Sequence, residues 1–217
     1  MGSTLFGIVG TGGFAKCIYD ALRLQTRAAV VFLSREKSNF TELLGEPIAQ
    51  EESVYSTSQR LSVFVGIGDE SIRQRYASLT QQTWPHVSFP ALVHPTAKVA
   101  STATIGDGVI VLAGAIVEAN STLEPFCAVC TGATIGQNTR IGAYSTIAPG
   151  ATVSRNVVIG SRSFVGLQAY IGSYSGIGND VIVGAKSAVT GIIPDCVVVV
   201  GQPARIVRHR SRGVRGF

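Results

Sequence analysis

The stretch TGATIGQNTRIGAYSTIAPGATVSRNVVIG, residues 131–160, places Ile135, Ile141, Ile147, Val153 and Ile159 six residues apart. A helix with one apolar face needs a period of 3.6 and a half-buried strand a period of 2, so six fits neither. It fits very short strands joined by sharp turns, three to a coil, with each aliphatic turned to a common axis. Outward from this stretch the series runs back through Val129, Leu123, Val117, Val111, Ile105, Val99 and Val93 to Val87. It runs forward through Val165, Ile171, Ile177 and Val183 to Val189. All eighteen positions are branched aliphatics, without one insertion. Eighteen units make six coils, which at about 4.8 Å per stacked strand give a three-sided prism roughly 29 Å tall.

Four places after each aliphatic the residue is mostly small, as at Ala97, Ala115, Ser121, Cys127, Ala133 and Ser145. A small residue there leaves room beside the axial side chain. The place directly after the aliphatic is often glycine, as at Gly106, Gly136, Gly142 and Gly160. Glycine or asparagine is expected to serve turns that need unusual dihedrals.

Ahead of the repeat, LFGIVGTGGFAKCIYDAL (residues 5–22) reads as a strand, a glycine-rich turn and a helix. AAVVFLS (28–34) and LSVFVGIGD (61–69) read as two more strands, and SIRQRYASLTQQ (71–82) as a second helix. Strand–helix–strand order implies a small parallel sheet that takes ligands at its strand ends. Gly10, Gly12 and Gly13 would let backbone approach a phosphate at the N-terminus of the first helix. GTGGFA departs from the full dinucleotide fingerprint. Glu36 stands near the place of a ribose-binding acid, so NAD is possible but not favoured, and a helix-start turn without a ligand stays open. The expected organisation is a Rossmann-like domain over 1–86, a hexapeptide-repeat β-helix over 87–200 and a basic tail over 201–217.

Composition narrows the classes. Hydrophobic residues make up 46% of the 217 and charged residues 14%, and no apolar run approaches the length of a membrane span. The apolar start lacks a basic leader, so a cytoplasmic protein with reduced thiols is expected. Cys127 and Cys130 form CAVC, but no second pair exists, and the repeat sends the two side chains to opposite sides of a wall. His86, His94 and His209 are the only histidines, and two lie outside the repeat, which excludes a three-histidine zinc site, so no metal is expected. The net charge of +5 owes much to five arginines in RIVRHRSRGVRGF. That tail suits phosphate binding, an anionic surface or plain solvation, and nothing else resembles a nucleic-acid surface.

The period and the small first unit together, with FPALVHPTAKVA (89–100) between them and VVVVGQPARIV (197–207) at the end, resemble the bacterial nucleotide-sugar acyltransferases. That family includes the sialic-acid O-acetyltransferase type and the UDP-4-amino-sugar N-acetyltransferases. The resemblance covers residues 4 to about 207. It implies a left-handed parallel β-helix, a homotrimer with sites between neighbouring prisms, acetyl-CoA as cosubstrate and a nucleotide sugar held by the first unit, in cell-surface glycan biosynthesis. It also implies a general-base histidine in a stretch matched here by TGATIGQN, which places Gln137 at the base position and Asn138 beside it. A glutamine amide cannot take a proton near neutral pH.

By the same resemblance Thr146, Leu167, Ala185 and Arg205 would meet the acyl-CoA, with Thr146 standing where a histidine is common. Gly12, Gly13, Phe14, Ala15, Gly68 and Asp69 would meet the nucleotide sugar, and Ser34 and Arg35 stand where relatives often carry an acidic pair. Gln137 is expected between Ala119 and Arg155 in the stack, with no carboxylate directly above or below. Tyr144, Glu118 and Glu124 would need loops or a neighbouring subunit to reach the cleft. Two outcomes are consistent with Gln137. The acceptor is an amine, which needs less help than a hydroxyl, or the protein is a non-catalytic trimeric relative that binds ligand without turnover.

Overall fold

The computed structural model describes residues 5–35, 40–50 and 61–213, so Glu36 lies outside the described residues. The first unit is a five-stranded sheet of β1 (Leu5–Val9), β2 (Val30–Ser34), β3 (Glu42–Leu43), β4 (Glu46–Gln50) and β5 (Leu61–Val65), in the order β3-β4-β2-β1-β5. All neighbours are parallel except the β3–β4 pair. Helix α1 (Gly13–Arg23) buries Ala15, Ile18, Ala21 and Leu22, one face at helical spacing. Helix α2 (Glu70–Thr83) starts where Asp69 Oδ1 accepts from the backbone N–H of Ser71 and Ile72, each at 3.0 Å.

From Leu92 to Val189 the chain forms two-residue strands, paired in parallel at an interval of eighteen residues, as in Thr134↔Thr152 and Ile135↔Val153. They build three sheets, two of six strands and one of eight. The result is a parallel β-solenoid of six coils with a partial seventh. From Val93 to Val189 the aliphatics of the series fill the axis, the first three partly buried and the rest buried.

Val87 is the exception. It packs with Val9, Leu33 and Val65 of the first unit, because the Val63 N–H donates to Ser88 O (2.8 Å) and draws this segment onto β5. The register also changes at the far end, where Ile182 pairs with Val198, sixteen residues on. There Val197–Gly201 turns back as an antiparallel hairpin with Ala204–His209, so much of the expected tail is strand. The chain then returns along the prism, with the Gly213 N–H donating to Asp180 Oδ1 at 3.0 Å.

Two expectations about small residues need revision. The glycines directly after the aliphatics are not the turn residues: the left-handed backbone falls two places later, at Gly132 (φ 67°), Asn138 (φ 56°) and Asn156 (φ 55°). Gly142 is required by spacing instead, since a Cβ there would stand 2.5 Å from the backbone carbon of Gly160 in the next coil. The small position does more than leave room. Ser145 Oγ donates to Gly160 O (2.6 Å) and accepts from the Ser163 N–H (2.9 Å), and Ser163 repeats the pattern on Gly178 and Val181. These hydroxyls satisfy corner backbone groups that would otherwise be buried without partners.

Gly142→Ala should therefore lower stability by about 2 kcal/mol or more, the usual cost of overpacking against backbone that cannot retreat. Gly132→Asn, in open space, should cost less than about 1 kcal/mol because asparagine tolerates this backbone region. Denaturant melts of the two variants check the order, and its reversal would mean that dihedrals rather than coil spacing set the constraint.

Candidate active site at the junction of the two units

The Rossmann-like sheet reverses its strand order between β1 and β5, and such switch points are where open parallel sheets take ligands. Gly10 follows β1, and Gly66 and Gly68 follow β5, so both glycine loops sit there. The first unit rests on the eight-stranded sheet: Ile8, Ile18 and Phe64 share one core cluster with Leu92, Ile110 and Cys130.

Arg73 of α2 crosses this junction and is 2% exposed. Its Nη1 donates to Ile67 O (2.8 Å) and Gly68 O (2.9 Å) in the first unit. Its Nε donates to Phe126 O (3.0 Å), and its Nη2 to Tyr144 O (2.7 Å) and Thr146 Oγ1 (2.8 Å) in the prism. One buried guanidinium thus fixes the β5 loop to three prism residues. Phe126 and Tyr144, one coil apart, stack with ring centroids 5.2 Å apart beside it.

Above Arg73 lies a cavity of about 410 Å³, within the range of small-molecule sites. Phe14, Gly68 and Asp69 line it from the first unit, and Thr146 and Leu167 from the prism. Five residues expected at two different ligands therefore meet in one space. Glu70, Cys130, Ala148, Pro149 and Phe164 complete the lining, and only the first two carry titratable groups. Burial pushes the Cys130 thiol up to about 11 and raises the Glu70 carboxyl above its ordinary value, against the attraction of Arg73 and the Thr146 hydroxyl.

Other expected residues fall elsewhere. Gly12 and Gly13 are exposed at the start of α1. Ala15 is fully buried, and a Cβ on Gly66 would come within 2.7 Å of its Cβ, so it is a packing contact between α1 and the end of β5. Ser34 ends β2 and Arg35 follows it, with its guanidinium 5.6 Å from the Tyr76 ring centroid. Ala185 is exposed on the same prism edge as Pro149 and Leu167, since the Gln168 N–H bonds Pro149 O and the Lys186 N–H bonds Leu167 O. Arg205 is exposed in the terminal hairpin.

Gln137 follows Thr134–Ile135, a strand of a different sheet, so it lies at another edge of the prism from Leu167. It lines a separate, open groove with Lys98, Ile116 and Glu118. Its main chain is stacked as expected: the Asn138 N–H donates to Ala119 O and the Asn156 N–H to Gln137 O. A carboxylate does reach it within one chain, one residue off the stacking column, because the Gln137 N–H donates to Glu118 Oε2 at 3.0 Å. Asn138 is exposed, 3.4 Å from Asn120 Nδ2.

Glu124 is held by Arg140 and by the Ala143 N–H. His94 Nδ1 accepts from the Thr96 N–H at 3.1 Å, a local turn contact. Cys127 faces the axis and Cys130 the first unit, on opposite sides of the wall. Among the described residues no cluster of three potential metal ligands occurs, and no helix is long and apolar enough to cross a membrane.

A solenoid of hexapeptide coils joined to a small nucleotide-binding-like sheet, with this cavity between them, defines the class of hexapeptide acyltransferases with a Rossmann-like first unit. Residues 6–79 match the family described as PglD N-terminal domain. Residues 114–149 and 132–167 match the bacterial transferase hexapeptide repeats. The chain is 30% identical to the acetyltransferase domain of PglB from Neisseria gonorrhoeae, solved with acetyl coenzyme A, over 95% of this chain and 100% of that one (TM-score 0.88). It is 32% identical to PerB from Caulobacter crescentus, solved with CoA and GDP-perosamine, over 93% and 96% (TM-score 0.83). WeeI from Acinetobacter baumannii shares the fold at 24% identity over 94% and 100% (TM-score 0.86). No curated protein sequence matches. The chain belongs to the nucleotide-sugar acetyltransferases built from a PglD N-terminal domain and hexapeptide repeats.

Sequence reading missed Arg73, inside the stretch expected as a plain helix, and Glu70, the residue just before that stretch. Arg73→Leu keeps most of the volume but leaves several buried carbonyls without a donor, each costing about 1–3 kcal/mol. It should destabilise the protein by on the order of 3 kcal/mol or more, read as a lower denaturant midpoint, with Thr146 no longer held at the cavity wall.

Proposed function

We propose that the protein transfers the acetyl group of acetyl-CoA to the amino group of a nucleotide-linked sugar, as a homotrimer, in cell-surface glycan biosynthesis in the cytoplasm. The observation that carries this reading is the cavity lined by Phe14, Gly68 and Asp69 on one side and Thr146 and Leu167 on the other. The glycine loops at the switch point suit the phosphates of a nucleotide. The apolar wall of Ala148, Pro149, Phe164 and Leu167 suits a pantetheine arm. From Pro149 the prism edge runs through Leu167 and Ala185 to the terminal hairpin, where Gln202 Nε2 donates to Lys186 O. Three coil steps of about 4.8 Å separate the two ends, a span that supports Lys186 and Arg205 as partners for the phosphate end of such a carrier.

PglB is solved with acetyl-CoA and PerB with the amino sugar GDP-perosamine, which supports both halves of the reading. The apolar Ile116, Val158 and Tyr170 are exposed on the other two sheets. A trimer would use such faces, and would bring the edge carrying Gln137 of one protomer toward the cavity of the next. An amine is preferred over a hydroxyl because Gln137 cannot remove a proton, and a neutral amine attacks a thioester without that help.

Gln137 also favours a second reading, a binding protein without turnover. Acetyl transfer to 4-amino and 4-hydroxy sugars on GDP, UDP and dTDP tests the first reading. N-transfer is expected to be faster than O-transfer by at least about 10²-fold, the lower range of general-base effects, and faster O-transfer overturns it. Gln137→His decides the second: activity appearing only in that variant would make the native protein a non-catalytic relative.

A further inference from the structure

Glu70 lines the cavity, and the sequence reading gave it no role. It is the first residue of α2, 8% exposed, and its Oε1 is buried with no hydrogen-bond partner. The neighbouring charges do not neutralise it by contact. Arg73 has its donors on Ile67, Gly68, Phe126, Tyr144 and Thr146. Asp69 Oδ1 is engaged by the Ser71 and Ile72 N–H groups and the Ser71 hydroxyl. Cys130, across the cavity, is an un-ionised thiol at neutral pH. An incompletely satisfied carboxylate in a fold is costly. Its position, where nucleotide-sugar and acyl-CoA residues meet, gives it a partner: a cation brought by the substrate.

We propose that Glu70 binds the ammonium of the acceptor sugar in this cavity and takes one proton from it. This rests on the reading of an amino-sugar acetyltransferase, and supplies the base that Gln137 cannot. The protons balance. The R–NH3⁺ group gives one proton to the Glu70 carboxylate, and the neutral nitrogen attacks the thioester carbonyl and forms the C–N bond. The C–S bond then breaks, and the second proton leaves nitrogen for the departing thiolate, giving R–NH–acetyl and CoA-SH. Glu70 afterwards returns its proton to solvent. Burial favours this exchange, because a desolvated carboxylate and ammonium neutralise each other more readily than in water.

The test uses Glu70→Gln, which keeps shape and removes charge, and Glu70→Asp, which keeps charge. Calorimetry measures binding of GDP-, UDP- and dTDP-linked 4-amino sugars, each against its 4-hydroxy counterpart. Glu70→Gln should weaken the tightest amino ligand at least about 10-fold and leave the hydroxy ligand within about twofold. Glu70→Asp should restore part of the loss. Turnover should fall by roughly 10²-fold or more, and the acid limb of kcat/KM, which reports the carboxyl, should disappear.

For stability, the proposal and a purely structural role predict opposite signs, and the proposal's sign follows from the carboxyl. The folded carboxyl titrates above its ordinary value, so its contribution is fully present at low pH and is lost as pH rises through that raised range. Glu70→Gln should then melt at or above wild type at pH 8, with the gain vanishing near pH 4. A lower Tm at pH 8 with amino-ligand binding unchanged overturns the proposal and makes Glu70 a structural partner of Arg73. Wild type that turns over, with Glu70→Gln equally active, sinks this inference alone. Wild type that binds the amino ligand through Glu70 without turnover sinks the transfer reading and Glu70's role as base, and leaves the ammonium site standing. Wild type that binds no amino sugar sinks both.

Discussion

A chain that must stack on itself every eighteen residues has little freedom inside. Each coil contributes three side chains to a common axis, and the backbone of the next coil lies close above. That spacing explains why the axial positions are branched aliphatics and why Gly142 accepts no side chain, with Gly160 carbon 2.5 Å from a hypothetical Cβ. It also explains the buried Ser145 and Ser163, whose hydroxyls join one coil's carbonyl to the next coil's N–H. The prism is rigid because its constraint repeats, and rigidity makes its edges a useful place to hold a flexible carrier.

The first unit has no such repetition and depends on the prism for its orientation. Apolar contact along Leu92, Ile110 and Cys130 holds it to one sheet. Direction comes from Arg73, whose five-donor fork reaches carbonyls in both units at once. A lysine offers three donors from a single point and could not span that set. The cavity is thus a consequence of the clamp: where the β5 loop and the Tyr144–Thr146 segment are fixed to one guanidinium, the space beside them is fixed too.

The repeat made the prism legible because periodicity is a statement about every unit at once. Val87 broke from the pattern only because its neighbours pair with β5, a tertiary fact that no spacing reveals. The two sides of the CAVC wall were legible from the same period, whereas the purpose of the glycines was not. A single sequence shows that a residue is small, not whether dihedral or distance requires it. Arg73 and Glu70 were hidden for a related reason. In SIRQRYASLTQQ and the residue before it, charged side chains read as a solvated helix face, and only the docked prism turns that face inward. Gln137 stood out by contrast with a family pattern, although its placement at a different edge from the cavity needed the sheet order.

Gln137 and Thr146 stand where the family resemblance implies histidines, and without imidazole there the reaction would need another base. The chemistry of an amine acceptor asks for less. At neutral pH most of such an amine carries the proton that blocks attack, so the need is a group that attracts the cation and then accepts that one proton. A carboxylate in water would do the first and fail at the second, being too weak a base. Burial beside Phe14 and Leu167 changes the balance, because desolvation raises the carboxyl's affinity for protons while leaving its attraction for a cation intact. Arg73, close enough to oppose that rise but with its donors on main-chain carbonyls and the Thr146 hydroxyl, limits it without quenching the charge. The clamp that fixes the two units therefore also sets how basic the neighbouring carboxylate becomes.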